Sequence, residues 1–450
     1  MENKNKRVRR RFKMWHGIVA LLLILFLLFR VTGSLKLKKQ IEILRTKGYP
    51  VTLEELDRWY NIPDGAANAA DAYLTAFSNY VEWDSEALKA LPGFGKAPLP
   101  ARTQPLDDPN QQLVKKFLSE NEKLLSMLHE AASIEHCRYP IDFSQESEQA
   151  APWLKELRAS AFLLRLDVFI QCDNHNPEKA LESIRTSLSL ARSVGTPLIF
   201  HRLIHIAVRA LTYNNLERIL NRIQLTEEQL MKLSSWIEEV GNDEGYKRAL
   251  IGENCIGLNT FQAPIHDIVN QTESGKGFLL ILTLRKILGL HNRETMAYIN
   301  IIQDYINTVE LPHHKRLAAF DSIQKAVDGG ERGGMLTRML MPAFGHIMQI
   351  EIRHLAHLRT TQTALAIERY RLTEGRLPQS LDNLIPAYME AVPTDPFDGQ
   401  NLKYRMLETG FVVYSVGEDL TDEGGAERDS RKRDPRGKPQ PWDVTFIVER

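Results

Sequence analysis

An uncharged apolar segment directly after a basic N-terminus constrains this chain most. Residues 15–29 (WHGIVALLLILFLLF) contain no Lys, Arg, Asp or Glu, whereas the thirteen residues before them carry seven Lys or Arg and one Glu. As a helix the segment spans roughly 22 Å, and the flanking Lys13 and Arg30 can extend to the surface of a ~30 Å hydrocarbon core. Because basic flanks stay in the cytoplasm, the sequence predicts a single-pass anchor in the bacterial cytoplasmic (inner) membrane, with the bulk of the chain extracytoplasmic.

A cleavable signal peptide is the alternative interpretation of this segment. Val31, Thr32 and Gly33 form a small-residue stretch that a signal peptidase can cut. Arg30 stands immediately before that stretch, and an Ala-x-Ala motif is missing from the sequence there. These two features favour a retained anchor, which we assign to residues 1–34.

Composition excludes some classes of protein. The chain has 57 Lys or Arg and 57 Asp or Glu, so it lacks the basic excess on which many nucleic-acid-binding proteins depend. Its three cysteines, Cys137, Cys172 and Cys255, are too scattered for a metal framework or a disulfide scaffold. We expect them to be small buried side chains.

Residues 35–327 carry the periodicity of helices and few strand signals. Capping boxes at Thr52 and Thr226 open two of the helices, and the proline- and glycine-rich residues 83–110 predict a loop. The apolar residues 278–290 are too few to cross a bilayer, so a buried helix is predicted there, with an in-plane membrane helix as the alternative. The sequence thus predicts an α-helical body.

A different pattern follows residue 327. Residues 328–334 (DGGERGG) predict a flexible hinge within residues 328–341. A long helix is expected next, and alternating apolar residues predict strands at 402–406, 411–416 and 443–448. The predicted fold class is therefore mainly α, with a membrane anchor, a helical body and a small α+β cap at 342–450 that combines a long helix with a three-stranded antiparallel sheet.

A set of residues in this cap follows a known order: Tyr370, Arg371, Gly375, Pro378, Asp395, Pro396, Phe397 and Gly399. With the later stretch VVYSVGEDLTDEGG, the segment resembles the C-terminal domain of the major pseudopilin of type II secretion. The resemblance covers about a fifth of the chain. It departs from the family at Leu377, where a Tyr is usual, and at the inserted Asp398. Gly17 is followed by Ile18 rather than by a prepilin leader's Phe-Thr-Leu-x-Glu, which argues against assembly into a filament.

The resemblance implies a calcium site in the acidic loop at residues 417–427. It suggests Asp419 and Asp422 as ligands, with Asp443 closing the site from the third strand, and calcium prefers six to eight such oxygens. The alternative is a solvated acidic turn whose carboxylates are neutralised by nearby arginines. These are Arg428, Arg431 and Arg433.

Two histidine patterns imitate metal sites. His201 and His205 have the spacing of zinc proteases, but Arg202 stands where those enzymes need Glu. Glu351 and His354 match half of a di-iron motif, of which the sequence shows no second copy. A hydrolytic zinc site is therefore not expected at the first pair, and the second pair is interpreted as part of an exposed polar helix face.

The function predicted from these features is that of a membrane-anchored extracytoplasmic scaffold or interaction protein with protein partners in the envelope. The sequence shows no P-loop, dinucleotide fingerprint, nucleophile elbow or Cys-x-x-Cys, which lowers the prospect of an enzyme. Two alternatives stay open: an accessory component of a secretion or pilus-like machine, and a hydrolase with a cleft between body and cap.

Overall fold

A computed structural model shows the chain as mainly helical. It describes residues 2–94, 97–144, 151–241, 244–266, 276–341, 344–428 and 442–450, with the backbone alone at 2–13 and 276–278. The helices of these residues are α1 Glu2–Thr46, α2 Leu53–Trp59, α3 Ala69–Phe77, α4 Ser85–Ala90, α5 Asp108–Glu120, α6 Glu122–Ala131, α7 Leu154–Asp173, α8 Pro177–Ser193, α9 Ile199–Arg222, α10 Glu227–Glu239, α11 Gly245–Gln262, α12 Lys276–Ile287, α13 Leu290–Thr308, α14 His313–Asp328, α15 Met335–Leu340 and α16 Phe344–Glu374.

One small sheet lies near the C-terminus. Strands β1 Lys403–Met406, β2 Phe411–Ser415 and β3 Val444–Val448 form an antiparallel sheet in the order β1-β2-β3. Gly410 makes the β1–β2 turn at φ +80°, where an added Cβ would lie 1.8 Å from the Val448 carbonyl oxygen. Glycine is therefore required at this turn. The predicted fold class is confirmed, and the strand bounds differ from the predicted ones by one residue or none.

The described residues divide into two compact units. The first unit comprises residues 1–59, 251–307 and 322–342, and the second comprises 60–250, 308–321 and 343–450. The hinge predicted at residues 328–341, between the helical body and the cap, stays a prediction. Residues 85–90 within the predicted loop form the short helix α4, because Asp84 accepts hydrogen bonds from two backbone N–H groups of its first turn.

In the second unit, the long helix before the sheet belongs to the same core as the helical body. Helices α7, α8 and α9 pack on one another, and α9 and α10 pack on α16, which in turn covers β2 and β3. Leu216 of α9, Leu365 of α16, Phe411 of β2 and Phe446 of β3 are buried in one apolar cluster. These helices bury the apolar face of the sheet, and this burial stabilises it.

Side chains of α9 pair with the free edge of β3. The Ile447 N–H donates to Glu217 Oε1 at 2.9 Å, Asn221 Nδ2 donates to the Ile447 carbonyl at 2.7 Å, and the Glu449 N–H donates to Asn221 Oδ1 at 2.7 Å. Burial raises the pKa of Glu217 to about 7, against the opposing effect of Arg102. A helix thereby satisfies the backbone groups that an edge strand leaves unpaired.

The first unit contains α1, which is long and apolar enough from Met14 to Thr46 to cross a membrane. In the same unit α11 and α13 approach closely, since a Cβ at Gly257 would lie 1.9 Å from the Tyr298 hydroxyl oxygen. The segment predicted as a hinge ends in an ordered contact: Glu294 Oε1 accepts the N–H groups of Leu336 and Thr337 at the start of α15.

The prediction of a buried helix at 278–290 is wrong for the described side chains. Leu280, Ile281 and Leu284 of α12 are 45% to 61% exposed, whereas Leu282 is buried. Among the described residues, one narrow face of this helix contacts the rest of the first unit. Most of its apolar side chains lie on the other faces and are therefore exposed.

Candidate functional site

Four arginine side chains from three helices line one pocket of the second unit. Arg192 lies near the end of α8, Arg202 and Arg209 lie on α9, and Arg248 lies in the first turn of α11. The pocket has a volume of about 390 Å³, which is within the range of small-ligand sites. We call it the arginine pocket.

Helix α9 brings two of these arginines to the pocket because of their spacing. Arg202, His205 and Arg209 stand at positions i, i+3 and i+7, so they share one helix face. All three are buried, with at most 8% of each residue exposed. Most of the helix surface is covered by α7, α8 and α16, and the polar face is therefore enclosed by protein.

Arg202 is fixed by a bidentate ion pair with Glu351 of α16. Its Nε lies 2.6 Å from Glu351 Oε1 and its second terminal nitrogen lies 3.0 Å from Glu351 Oε2. The two side chains are 7% and 11% exposed. The interpretation of Glu351 and His354 as an exposed helix face is wrong, because α16 packs on α9 and turns this face inward; the His354 ring stacks on Tyr213 with centroids 5.8 Å apart.

Arg209 is held by three neighbours. It donates from Nε to the Tyr213 hydroxyl at 3.1 Å and from one terminal nitrogen to the Val240 carbonyl at 2.8 Å. Its other terminal nitrogen is 3.3 Å from His205 Nε2. Since His205 Nδ1 is 2.8 Å from the Ala191 carbonyl, that nitrogen carries the proton and Nε2 accepts from Arg209. His201 is engaged elsewhere, with Nδ1 2.8 Å from Thr196 Oγ1.

Arg192 is more exposed than Arg202 and Arg209. Its side chain is 37% exposed and pairs with Glu239, which is 61% exposed, at 2.8 Å. An exposed pair of this kind contributes about 0–1 kcal/mol to stability. Arg192 can therefore exchange its partner for an incoming anion at little cost.

The charges that line the pocket favour an anion. The described lining contains four arginines against the carboxylates of Glu135 and Glu239. A guanidinium presents a planar set of donors that matches a carboxylate or a phosphate, and it keeps its charge at every physiological pH. Among the described side chains, the arginine pocket is thus suited to hold a carboxylate or phosphate group.

Cys137 also lines the pocket, but its chemistry is not that of a nucleophile. Burial raises the pKa of its thiol to about 12. The thiolate is the reactive form of cysteine, so Cys137 stays protonated and unreactive near pH 7. Cys172 and Cys255 are buried, as predicted, and Cys137 is half-buried.

A second cavity of the same unit lies between α10, α16 and residues 388–393. Its volume is about 720 Å³, and its lining includes Ser234, His313 and Arg359. Burial lowers the pKa of His313 to about 4, with Arg316 and Arg359 acting in the same direction. A histidine with so low a pKa is a weak general base.

The three carboxylates suggested as calcium ligands have protein partners in the structure. Asp443 Oδ2 accepts the N–H groups of Gly425 and Ala426 at 2.7 and 3.2 Å. Asp419 Oδ1 accepts the Thr421 N–H at 3.2 Å. Asp422 Oδ1 accepts from the Tyr414 hydroxyl at 3.0 Å and from a backbone N–H, and its Oδ2 lies 3.3 Å from Lys403 Nζ.

These residues fit a calcium ion in part. Asp443 Oδ1 is buried, and the described residues give it no hydrogen-bond partner, which leaves this oxygen available as a ligand. In the chain as far as the structure describes it, no group of three or more His, Cys, Asp or Glu side chains is arranged to hold a metal. Arg431 and Arg433, the arginines suggested as neutralising partners, lie outside the described residues, and Arg428 stacks its guanidinium on Trp442 at 5.3 Å. Calcium stays a prediction.

Sequence reasoning did not identify the arginine pocket. Its residues come from helices that are distant in the chain, so no local motif unites them. One signal was present: residues 202, 205 and 209 place two arginines and a histidine on one face of a helix that is mostly buried, and a charged stripe on a buried helix indicates a polar interior site.

No protein-family model matches the chain, and no curated protein or solved structure matches it significantly.

Proposed function

We propose that this protein is a membrane-anchored, extracytoplasmic interaction protein whose arginine pocket captures an acidic segment of a partner protein. The observation that supports it best is the convergence of Arg192, Arg202, Arg209 and Arg248 on one pocket. The apolar helix near the N-terminus and its basic flank support an anchor in the bacterial inner membrane, with the second unit outside the cytoplasm.

Two kinds of arginine support binding in this pocket. Arg202 and Arg209 are buried and held by Glu351, Tyr213 and the Val240 carbonyl, so their positive charges are fixed in place before a ligand arrives. Preorganised donors avoid the entropy cost of ordering side chains on binding. Arg192 is half-exposed, and it supplies a cation that can turn to meet the ligand.

An extended acidic segment suits the site better than a single small anion. A smaller depression of about 210 Å³ adjoins the arginine pocket and shares Arg192, Glu239 and Val240 with it. Arg185 lines that depression. A peptide with two or more carboxylates can therefore contact Arg192 and reach cations on both sides of it.

The experiment is a binding titration of the full-length protein in detergent with a fluorescent hexaglutamate peptide. A hexaglutamine peptide is the control for charge, and inorganic phosphate is the competitor. We expect Arg192→Gln to weaken binding of hexaglutamate about tenfold, since a hydrogen bond to a charged group contributes about 1.5–3 kcal/mol. Lys232→Gln, on an exposed face of α10 outside the pocket, is the matched control and should bind as the unmodified protein does.

Two outcomes would contradict the proposal. One is equal binding of hexaglutamate and hexaglutamine. The other is equal affinity of the Arg192→Gln and Lys232→Gln proteins for hexaglutamate, since binding would then take place elsewhere. Competition by phosphate at equal concentration would indicate a single-anion site instead of a peptide site.

The remaining predictions about function are proposals of the same kind. The pseudopilin resemblance supports a role beside a secretion or pilus-like machine, and partners in the envelope fit that role. Calcium in the acidic loop would stabilise the C-terminal residues of the second unit by mass action. A hydrolase acting in the 720 Å³ cavity has weaker support, because the low pKa of His313 makes it a poor base there.

A further inference from the structure

Helix α12 exposes a continuous apolar stripe. The members of this stripe are Leu280, Ile281, Leu284, Ile287 and Leu288, and each is 45% to 61% exposed. Their spacing of i, i+1, i+4, i+7 and i+8 places them on one face of the helix. We call it the α12 apolar face. A water-soluble protein normally covers a contiguous face of this kind.

The opposite face of the same helix is the one that contacts protein. Leu282 is buried, Arg285 pairs with the buried Glu294 at 2.6 Å, and Gly289 is buried just beyond the helix end. Residues 282, 285 and 289 are spaced at i, i+3 and i+7. The first unit therefore holds α12 by a narrow side that contains Leu282 and one ion pair, and it leaves the broader apolar side exposed.

Contacts along α1 show which part of its apolar segment lies beside α12. Within the first unit, the Arg293 guanidinium lies 4.2 Å from the centre of the Phe29 ring, and a Cβ at Gly289 would lie 3.0 Å from Arg30 Cγ. Farther along α1 and α13, Gln40 pairs with Asn300 at 2.5 Å. The end of α12 is thus beside Phe29 and Arg30, where the uncharged segment of α1 stops.

We propose that the α12 apolar face is seated in the lipid bilayer, at the surface where α1 leaves it. The proposal rests on α1 being a membrane anchor. Twelve residues span about 18 Å as a helix, too little to cross a bilayer, so the helix lies at the interface with its leucines among the acyl chains. Arg30, Lys286 and Arg293 are placed to meet anionic lipid headgroups.

Lipid accounts for this surface better than a second copy of the chain does. The end of α12 lies beside Phe29 and Arg30, and the preceding α1 residues Leu27 and Leu28 are 58% and 55% exposed. A protein partner that covered only the α12 apolar face would leave the neighbouring apolar residues of α1 exposed. A bilayer covers both at once.

The test measures the depth of nitroxide labels in the full-length protein reconstituted into vesicles of phosphatidylethanolamine and phosphatidylglycerol. Labels at residues 280 and 284 are introduced after Cys137, Cys172 and Cys255 are replaced by Ala. A label at Leu22 reports the anchor, and a label at Lys232 reports water. Collision with oxygen marks lipid, and collision with a water-soluble nickel complex marks solvent. A diazirine amino acid at 280 or 284 in the cysteine-containing protein is the second measurement, with adducts identified by mass spectrometry.

We expect the labels at 280 and 284 to collide with oxygen as the label at 22 does, at least tenfold more than with nickel, and the diazirine to form adducts with lipid. Nickel accessibility equal to that at 232, with lipid contact at 22, would overturn the proposal and leave the anchor intact. Protein adducts at 284 would overturn it in favour of a second copy or a partner. Water accessibility at 22 would overturn the anchor and, with it, the lipid contact of α12.

Discussion

At the scale of single residues, one buried carboxylate connects two segments in the C-terminal part of the second unit. Asp395 accepts the Phe397 N–H, the Ser415 hydroxyl and the Val416 N–H, each at 2.8 Å, and so joins the turn after α16 to the end of β2. The pseudopilin resemblance pointed to this Asp as part of a motif. Its contacts give the motif a physical reason, since one carboxylate satisfies two backbone donors and a hydroxyl.

Asp443 gives a prediction about pH. Burial raises its pKa from 3.8 to about 6, against the opposing hydrogen bond from Gly425. Between these values the folded state holds a proton that the unfolded state has lost, so this residue's contribution to the unfolding free energy falls as pH rises from about 4 to 6, by at most about 3 kcal/mol. Asp443→Asn should remove the contribution and raise the melting temperature at pH 7. The measurement is the melting temperature of both proteins between pH 4 and 7.

Asp422→Asn is the matched control for this prediction, with the opposite sign. Burial alone would raise the pKa of Asp422, but hydrogen bonds from Gly424, Tyr414 and Lys403 together lower it. Its stabilising effect is therefore present above its ordinary pKa and is lost as pH falls below that value. Equal pH profiles for the Asp443→Asn and Asp422→Asn proteins would contradict the assignment.

Calcium is the second prediction at this scale. If the acidic loop binds the ion, calcium should raise the melting temperature of the full-length protein above that in chelator, because a ligand that binds only the folded state stabilises it. Asp419→Ala should remove the difference. A melting temperature that is the same with calcium, with chelator and in the variant would leave the loop without a metal role.

At the scale of elements, the contact of α9 with the edge of β3 should contribute strongly to stability. Asn221→Ala leaves the Ile447 carbonyl and the Glu449 N–H unpaired, and an unsatisfied buried group costs about 1–3 kcal/mol. We expect urea unfolding to show a loss of about 2 kcal/mol. Asn214→Ala, at an exposed position of the same helix, should cost nothing, because Ala favours the helix. Equal loss in both variants would argue against the edge contact.

Elements also show what could be predicted from the sequence. Strands β1 to β3 and helix α16 were predicted because the residue patterns that indicate them are local. The hydrogen bond between Glu217 and Ile447 was not predicted. It joins residues that are far apart in the chain, so no local spacing indicates it. The exposed face of α12 was mistaken for a core helix because an apolar stripe has the same pattern whether protein or lipid covers it. The arginine pocket was missed because its members converge only after folding.

At the scale of the whole molecule, the prediction concerns membrane attachment. A wash with alkaline carbonate should leave the full-length protein in the membrane fraction, since nearly all residues in the apolar part of α1 are exposed on the protein surface. Leu22→Arg with Leu25→Arg should release it, because a charge in the hydrocarbon core costs about 2.5–3.5 kcal/mol per residue. Full-length unmodified protein in the soluble fraction would contradict the prediction.

The contact between α9 and β3 also orders events while the chain is being made. Asn221 and Ile447 are 226 residues apart, and a ribosome takes roughly 10–45 s to cover that distance at about 5–20 residues per second. Throughout that interval the helix exists without the strand whose backbone its side chains complete. A nascent chain that stalls before residue 447 therefore carries an unfinished second unit, and it presents to chaperones and proteases a polar helix face that the finished protein conceals.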